Sequence, residues 1–185
     1  MLVVLGIAAV ASAVAVPLLG RTTTDLRLQS DARALHNMVS LAKMRAASRY
    51  TRERLFFDHG TRTFYLQYLD RSVSPYVWTT EEEVRTLAAG IALGYGSVSE
   101  APPNTQGTFG QAAPCRTYPA NEEIPSTSCV VFNTRGIPVY SDGSPNGNTG
   151  FYLTDSTGVY AVTVSATPLV RLWWSPASKT AWVSR

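Results

Sequence analysis

The first twenty residues contain sixteen apolar side chains and not one charge. The other four are Gly6, Ser12, Pro17 and Gly20. Roughly 20 apolar residues are enough for a helix to cross a bilayer. A helix that is apolar all round needs burial or lipid. Three fates compete for such a segment. A soluble core helix seldom stays charge-free over this length. A secretory signal peptide would use Ala11-Ser12-Ala13 as its small-residue site, but it needs a positive n-region, and here apolar residues begin at Met1. A retained transmembrane helix over 1–20 is the expectation.

The pattern continues past Pro17. Leu28, Ala32, Leu35, Val39, Ala42 and Ala46 recur three or four residues apart and define one helical face. Arg27, Asp31, Arg33, Asn37, Lys43, Arg45 and Arg49 fall largely on the other faces. The spacing predicts one long helix over about residues 1–50, bent near Pro17 and Gly20. At 1.5 Å per residue it would reach roughly 75 Å, so its second half must project from the membrane. That half, 21–53, is predicted to pack its stripe on the body of the chain.

Charge divides the chain in the same way. Residues 21–62 hold nine Lys/Arg and four Asp/Glu, a net of +5, whereas residues 63–185 hold seven and nine. Charged residues are only 16% of the chain against a usual ~25%, which excludes a disordered polyelectrolyte. The total of +3 is too small to imply a nucleic-acid partner by itself.

From residue 54 to 185 the period shortens to that of strands. Arg54-Leu-Phe-Phe and Thr63-Phe-Tyr-Leu-Gln-Tyr-Leu flank Asp58-His-Gly-Thr-Arg, a hairpin with glycine in its loop. Tyr76-Val-Trp, Val84–Leu93, Val130-Val-Phe, Ile137–Tyr140, Phe151-Tyr-Leu, Val159–Val164, Val170–Trp174 and Ala181-Trp-Val are further short strands. No crossover helix intervenes, so the sheets should be antiparallel. Glu81-Glu-Glu reads as a solvated loop or helix start. Residues 94–128, rich in Gly, Ser, Pro, Thr and Asn, are expected to form a long variable loop without hydrophobic anchors.

Leu2-Val-Val-Leu-Gly-Ile-Ala-Ala-Val-Ala-Ser-Ala-Val-Ala-Val-Pro resembles the N-terminal helix of type IV pilins and type II secretion pseudopilins. Leu2, Val3, Val4, Gly6, Ile7, Val10, Val14 and Pro17 carry the likeness, with Pro17 where the family has its proline. The family's Phe-Thr-Leu-Ile-Glu run and basic leader are absent and would lie just before Met1, so the sequence is expected to begin inside a longer one. Leu41-Ala-Lys-Met-Arg-Ala-Ala-Ser-Arg followed by Leu55-Phe-Phe, and later Phe132-Asn-Thr-Arg-Gly, is similar to GspH/FimT-type minor pilins. The resemblance implies an α+β fold, a long N-terminal transmembrane helix carrying an antiparallel β-sheet head. It implies a non-enzymatic subunit anchored in the bacterial inner membrane with a periplasmic head. Its partners would be other pilin or pseudopilin subunits, met through the N-terminal helix, and the assembly platform, with a role in initiation or at the filament tip. An exported head also permits a disulfide between Cys115 and Cys129; two free buried thiols are the alternative.

The remaining chemistry is sparse. His36 on the helix and His59 in the hairpin loop read as solvated residues. No nucleophile triad, phosphate loop or dinucleotide fingerprint is present, and no cofactor is expected. Asp142, Ser144 and Asn146 alternate before Gly147 as in a calcium loop, but Leu153 stands where the bidentate acid belongs; a plain inter-strand loop is the reading, and no metal is expected. Arg171, Lys179 and Arg185 accompany Trp173, Trp174 and Trp182, the cation-plus-aromatic mixture that nucleic-acid surfaces use. Some FimT-like pilins are DNA receptors in natural transformation, so DNA is a second reading behind tryptophans packed into a sheet. A membrane-anchored periplasmic binding module is a third.

Overall fold

The apolar stripe of the helix is the surface on which the rest of the chain assembles. In the computed structural model, α1 runs Leu2–Ser48. The structure describes residues 2–155, 157–177 and 181–185, with side chains described from residue 24 onward except at residue 82. The membrane-spanning segment expected over 1–20 and the bend at Pro17 therefore lie outside the described side chains. Among the described residues no helix is long and apolar enough to cross a membrane. Leu28, Ala32, Leu35, Val39, Ala42 and Ala46 are each 0% exposed, so the predicted stripe is the buried face of the helix.

Two antiparallel five-stranded sheets cover it. The first comprises β1 (Glu53–Asp58), β2 (Thr63–Asp70), β3 (Val77–Thr86), β5 (Thr127–Phe132) and β6 (Pro138–Val139), in the order β3-β2-β1-β5-β6. The second comprises β4 (Ala92–Leu93), β7 (Thr149–Thr154), β8 (Gly158–Val164), β9 (Val170–Pro176) and β10 (Val183–Ser184), in the order β10-β9-β8-β7-β4. Strand alternation sends Leu55, Phe57, Phe64, Leu66, Val130 and Phe132 of the first sheet to the helix. Phe151, Leu153, Tyr160, Val162, Val164 and Leu172 approach from the second. These residues and the helix stripe form one continuous core.

Two contacts fix the C-terminal end of the helix. After Ser48 the chain turns through Tyr50, whose φ of 50° is the left-handed conformation common past a helix C-terminus. Thr51 Oγ1 then donates to the Leu69 carbonyl at 2.7 Å, starting the β1–β2 pair. The turn after β5 passes so near α1 that a Cβ on Gly136 would sit 3.1 Å from the Lys43 carbonyl oxygen, at a φ of 71°. Only glycine meets both conditions, which gives the Phe132-Asn-Thr-Arg-Gly run its physical reason. Asn133 Oδ1 shapes the same turn by accepting from the Arg135 and Ile137 amides.

Three expectations change. Glu81–Glu83 is neither loop nor helix start but part of β3. Gln67 opposes Thr80 and Tyr65 opposes Val84, so Glu81–Glu83 bulges opposite the single residue Leu66. A two-residue excess keeps the alternation intact on both sides of the bulge. Second, the strand expected over Val84–Leu93 divides. β3 stops at Thr86, Leu87 and Ile91 enter the core, and β4 joins the other sheet. Third, the 94–128 segment does have hydrophobic anchors. Tyr95, Val98 and Phe109 pack with Tyr152, Ala161, Trp173 and Trp182 on the outer face of the second sheet. Cys115 and Ile124 pack with Phe56, Cys129, Val131 and Val139 on the outer face of the first. One loop thus caps both sheets on the sides away from the helix.

Leu35 tests the shared core. Replacing it with Ala should cost about 2–5 kcal/mol, read as a drop in the urea midpoint with an unchanged slope. A loss below about 0.5 kcal/mol, the level of surface changes, would show that the helix does not close the core.

Candidate functional site

Consecutive residues of a strand face opposite ways, and β1 begins Glu53-Arg54. One charge is therefore driven under the helix and the other under the loop. Glu53 is fully buried on the inner face. Arg49, four residues before it and just past the helix end, donates to Glu53 Oε1 at 3.2 Å. Arg45 and Arg49 also bind the carboxylate of Glu81, presented by the β3 bulge. Glu53 Oε2 has no hydrogen-bond partner. Burial pushes the Glu53 carboxyl up to about 7 against the opposing pull of Arg49 and then Arg45. The two arginines also lie at the C-terminal end of α1, where cations offset the helix dipole.

Arg54 is 2% exposed on the outer face. Its guanidinium lies 4.1 Å from the Trp78 ring centroid and 5.3 Å from that of Phe56. Nε donates to Gln67 Oε1 at 2.8 Å and Nη1 to the Arg116 carbonyl at 2.7 Å. Desolvation lowers its pKa to about 9, so it stays protonated at neutral pH. Amide dipoles and aromatic faces replace a carboxylate partner. Through Arg116 it also ties the loop to the sheet.

The disulfide supports the same loop. Cys115 and Cys129 are bridged, with Cα atoms 4.9 Å apart. The Cys115 amide donates to Thr127 Oγ1, and the Cys129 amide to the Ala113 carbonyl. Beside this bridge lies a cleft of about 330 Å³, walled by Arg116, Asn121, Tyr140, Asp142 and Asn146 above Cys129, Val131 and Val139.

The Asp142 segment closes on itself. Asp142 Oδ1 accepts from the Ser144 amide at 2.8 Å and from Ser144 Oγ at 2.7 Å. These bonds hold its carboxyl below the usual range. They turn Asp142 Oδ1 and the Ser144 hydroxyl toward each other rather than toward a shared ion, and among the described residues no cluster of His, Cys, Asp and Glu could hold a metal ion. His36 lies beside Asn37 Oδ1 at 3.4 Å. His59 Nε2 is 3.0 Å from Ser128 Oγ, and burial lowers its pKa against the pull of Asp58.

Arg171 and Arg185 do not share a face. Arg171 approaches Trp173 with its guanidinium 6.0 Å from the ring centroid, on the outer face of the second sheet. Arg185 stacks 4.9 Å from the Trp174 centroid, and Trp174 packs against the inner core. The two arginines thus lie on opposite faces, while Lys179 falls outside the described residues. The Trp173 indole N–H is occupied by Thr163 Oγ1 at 2.9 Å, and that of Trp182 by the Glu100 carbonyl at 3.0 Å. These rings anchor the sheet and its covering loop.

Sequence reasoning missed Glu53, Arg54 and Glu81. The available signal was a pair of charges opening an otherwise apolar strand, Glu53-Arg-Leu-Phe-Phe. The Glu81 pairing depends on a bulge that no local pattern announces.

No protein-family model matches the chain, and no curated protein is similar to it in sequence. Two solved structures of the minor pseudopilin EpsH from the type II secretion system of Vibrio cholerae are similar in fold. One is 15% identical with a TM-score of 0.46, over 79% of this chain and 94% of that one. The other is 14% identical with a TM-score of 0.47, over 79% and 92%.

The buried carboxyl gives a pH test. A folded-state pKa raised from 4.5 to about 7 means that the native protein holds a proton which the unfolded chain has released. This contribution is complete below about pH 4.5 and is lost as pH rises through 7. Glu53→Gln, permanently neutral, should remove it. The stability difference between the variant and the parent should grow in the variant's favour by roughly 2–3 kcal/mol from pH 4.5 to 7.5. Parallel curves from denaturant titrations across that range would show that Arg49 keeps Glu53 ionised throughout.

Proposed function

We propose that this chain is a structural subunit of a type IV pilus or type II secretion pseudopilus, a minor pilin or pseudopilin of the GspH/FimT kind. In this reading residues 1–20 hold it in the inner membrane and later join a helical filament core, while the head faces outward. Two features support the reading. One is the pilin-like run from Leu2 to Pro17. The other, which carries most weight, is that the stripe from Leu28 to Ala46 is completely buried by the two sheets. The head's core is filled by the C-terminal part of α1. In this reading the charge-free segment before it is covered by lipid or by neighbouring helices, the surfaces that suit an apolar helix.

A subunit of this kind works by transfer between two apolar environments. In the membrane the helix is surrounded by lipid; in the fibre it packs on other helices. Pro17 and Gly20 supply local softness for that repacking. A place at assembly initiation or the filament tip follows from the minor-pilin resemblance. The DNA-receptor reading has less support, because Arg171 and Arg185 lie on opposite faces of the second sheet.

Two variants separate the readings. Val10→Asp places a charge where lipid or fibre core is expected, at a cost of about 2.5–3.5 kcal/mol on the insertion scale. It should deplete the protein from membranes and abolish its recovery in sheared filaments. Neutralising Arg171, Lys179 and Arg185 together should leave both unchanged. Normal filament recovery with Val10→Asp would overturn the proposal. So would salt-sensitive DNA retention that is lost in the triple variant, since phosphate contacts release counterions.

A further inference from the structure

The filament reading makes no use of the cleft beside the disulfide. This cleft of about 330 Å³ adjoins a second of about 340 Å³, and the two share Ala113, Tyr140 and Asn146. The two meet at these three residues and together form a groove along the cover loop. Each is at the lower end of the size range for small-molecule sites.

Tyr140, shared by both clefts, is 46% exposed, although it follows the buried Val139 directly. It lines both clefts and is the aromatic residue they share. The turn beneath it is fixed: the Tyr140 amide donates to the Ser144 carbonyl at 2.8 Å, and the Gly143 amide to the Tyr140 carbonyl at 2.9 Å. Arg52 Nη1 donates to the Ser141 carbonyl from below at 3.0 Å. The ring therefore stands on a braced turn.

The groove also holds an unsatisfied acceptor. Asn121 Oδ1 is buried without a hydrogen-bond partner, although the Asn121 carbonyl accepts from Arg116 Nη1 at 2.9 Å. A buried polar atom without a partner is costly, and native proteins seldom leave one so. That oxygen is closed to solvent in this conformation, so a ligand hydroxyl or amide would satisfy it once the Asn121 side chain turns into the cleft it lines. Asp142, kept ionised by Ser144, adds acceptor capacity on the opposite wall, and Arg116 contributes donors. Local charge is nearly balanced, because Arg116 lies 3.6 Å from Glu123 and Arg52 lowers the Asp142 pKa from nearby.

We propose that this groove, with Tyr140 as its platform and Asn121, Asp142 and Arg116 as its polar contacts, binds a neutral carbohydrate. Sugar hydroxyls donate and accept at once, as a mixed set of unsatisfied acceptor, carboxylate and guanidinium requires. The apolar face of a sugar ring suits an exposed tyrosine and the Val131 and Val139 floor. An extended peptide fits less well, since it binds best by adding a strand to a free edge. The adjacent strand β6 is only Pro138–Val139, and its outer side is closed by the Val139–Pro145 bridge and the Asn146 amide donating to the Pro138 carbonyl. The site stands apart from α1, so its failure would leave the filament reading untouched.

The test uses the full chain in detergent, with saturation-transfer NMR against a panel of neutral hexoses, N-acetylhexosamines and their disaccharides. At least one sugar should receive saturation through its ring protons, and amide shifts in the unmodified protein should concentrate at Asn121, Tyr140 and Asn146. Tyr140→Ala should weaken binding about tenfold and Tyr140→Phe less than about threefold, because the ring is retained. Asn121→Gly, which tolerates the φ of 56° at this position, should weaken it about fivefold. The proposal is overturned if no sugar in the panel receives saturation, if shifts fall elsewhere, or if Tyr140→Ala binds like the parent. It is also overturned if a peptide library occupies the groove while sugars do not.

Discussion

The structure depends on one helix serving as the inner wall of two sheets at once. A sheet needs its apolar face covered, and five strands on each side present more such surface than either sheet could bury alone. The stripe from Leu28 to Ala46 meets both demands because its members are narrow as well as apolar. Alanine at 32, 42 and 46 lets the strands approach closely, while Leu28, Leu35 and Val39 fill the space between. A larger residue at Ala42 would separate the sheets, and a charged one would have no partner there.

The outer faces pose the opposite problem, and the 94–126 segment meets it. Without a second helix, each outer face would leave aromatic surface in water: Phe56 and Tyr65 on one sheet, Tyr152 and Trp173 on the other. The loop supplies side chains to both and is fastened by the Cys115–Cys129 bridge and by Arg54 holding the Arg116 carbonyl. Glu53 and Arg54 are adjacent yet never meet. Pleating places one against Arg49 at the helix end and the other against Trp78 under the loop. Each buried charge thereby pins a different layer to the central strand β1.

The helix stripe, the β1–β2 hairpin, the antiparallel strands and the pairing of the two cysteines were legible in the sequence, because each rests on short-range periodicity or on there being a single available partner. Other features depend on three-dimensional neighbours. The bulge at Glu81–Glu83 arises where Arg45 and Arg49 attract a carboxylate, and a run of three glutamates reads locally as solvated. The Gly- and Pro-rich composition of 94–128 hid the anchoring role of Tyr95, Val98 and Phe109, which are spaced irregularly. The basic residues around the last strands looked like one patch along the chain, and strand alternation put Arg171 and Arg185 on opposite faces. The Tyr140 groove left no linear trace, since its walls come from segments far apart in the chain, around residues 106–121 and 139–149.

The claim that α1 is the common wall of both sheets is tested most directly by amide hydrogen exchange on the full chain in detergent. If one cooperative core joins helix and sheets, amides from about residue 30 to 46 should exchange in the same slowest class as those of β1, β5 and β8, through global unfolding. Lowering stability with urea should move all of them together. Helix amides that exchange orders of magnitude faster than the strands, with no dependence on global stability, would contradict the account and make the sheets a core that closes without the helix.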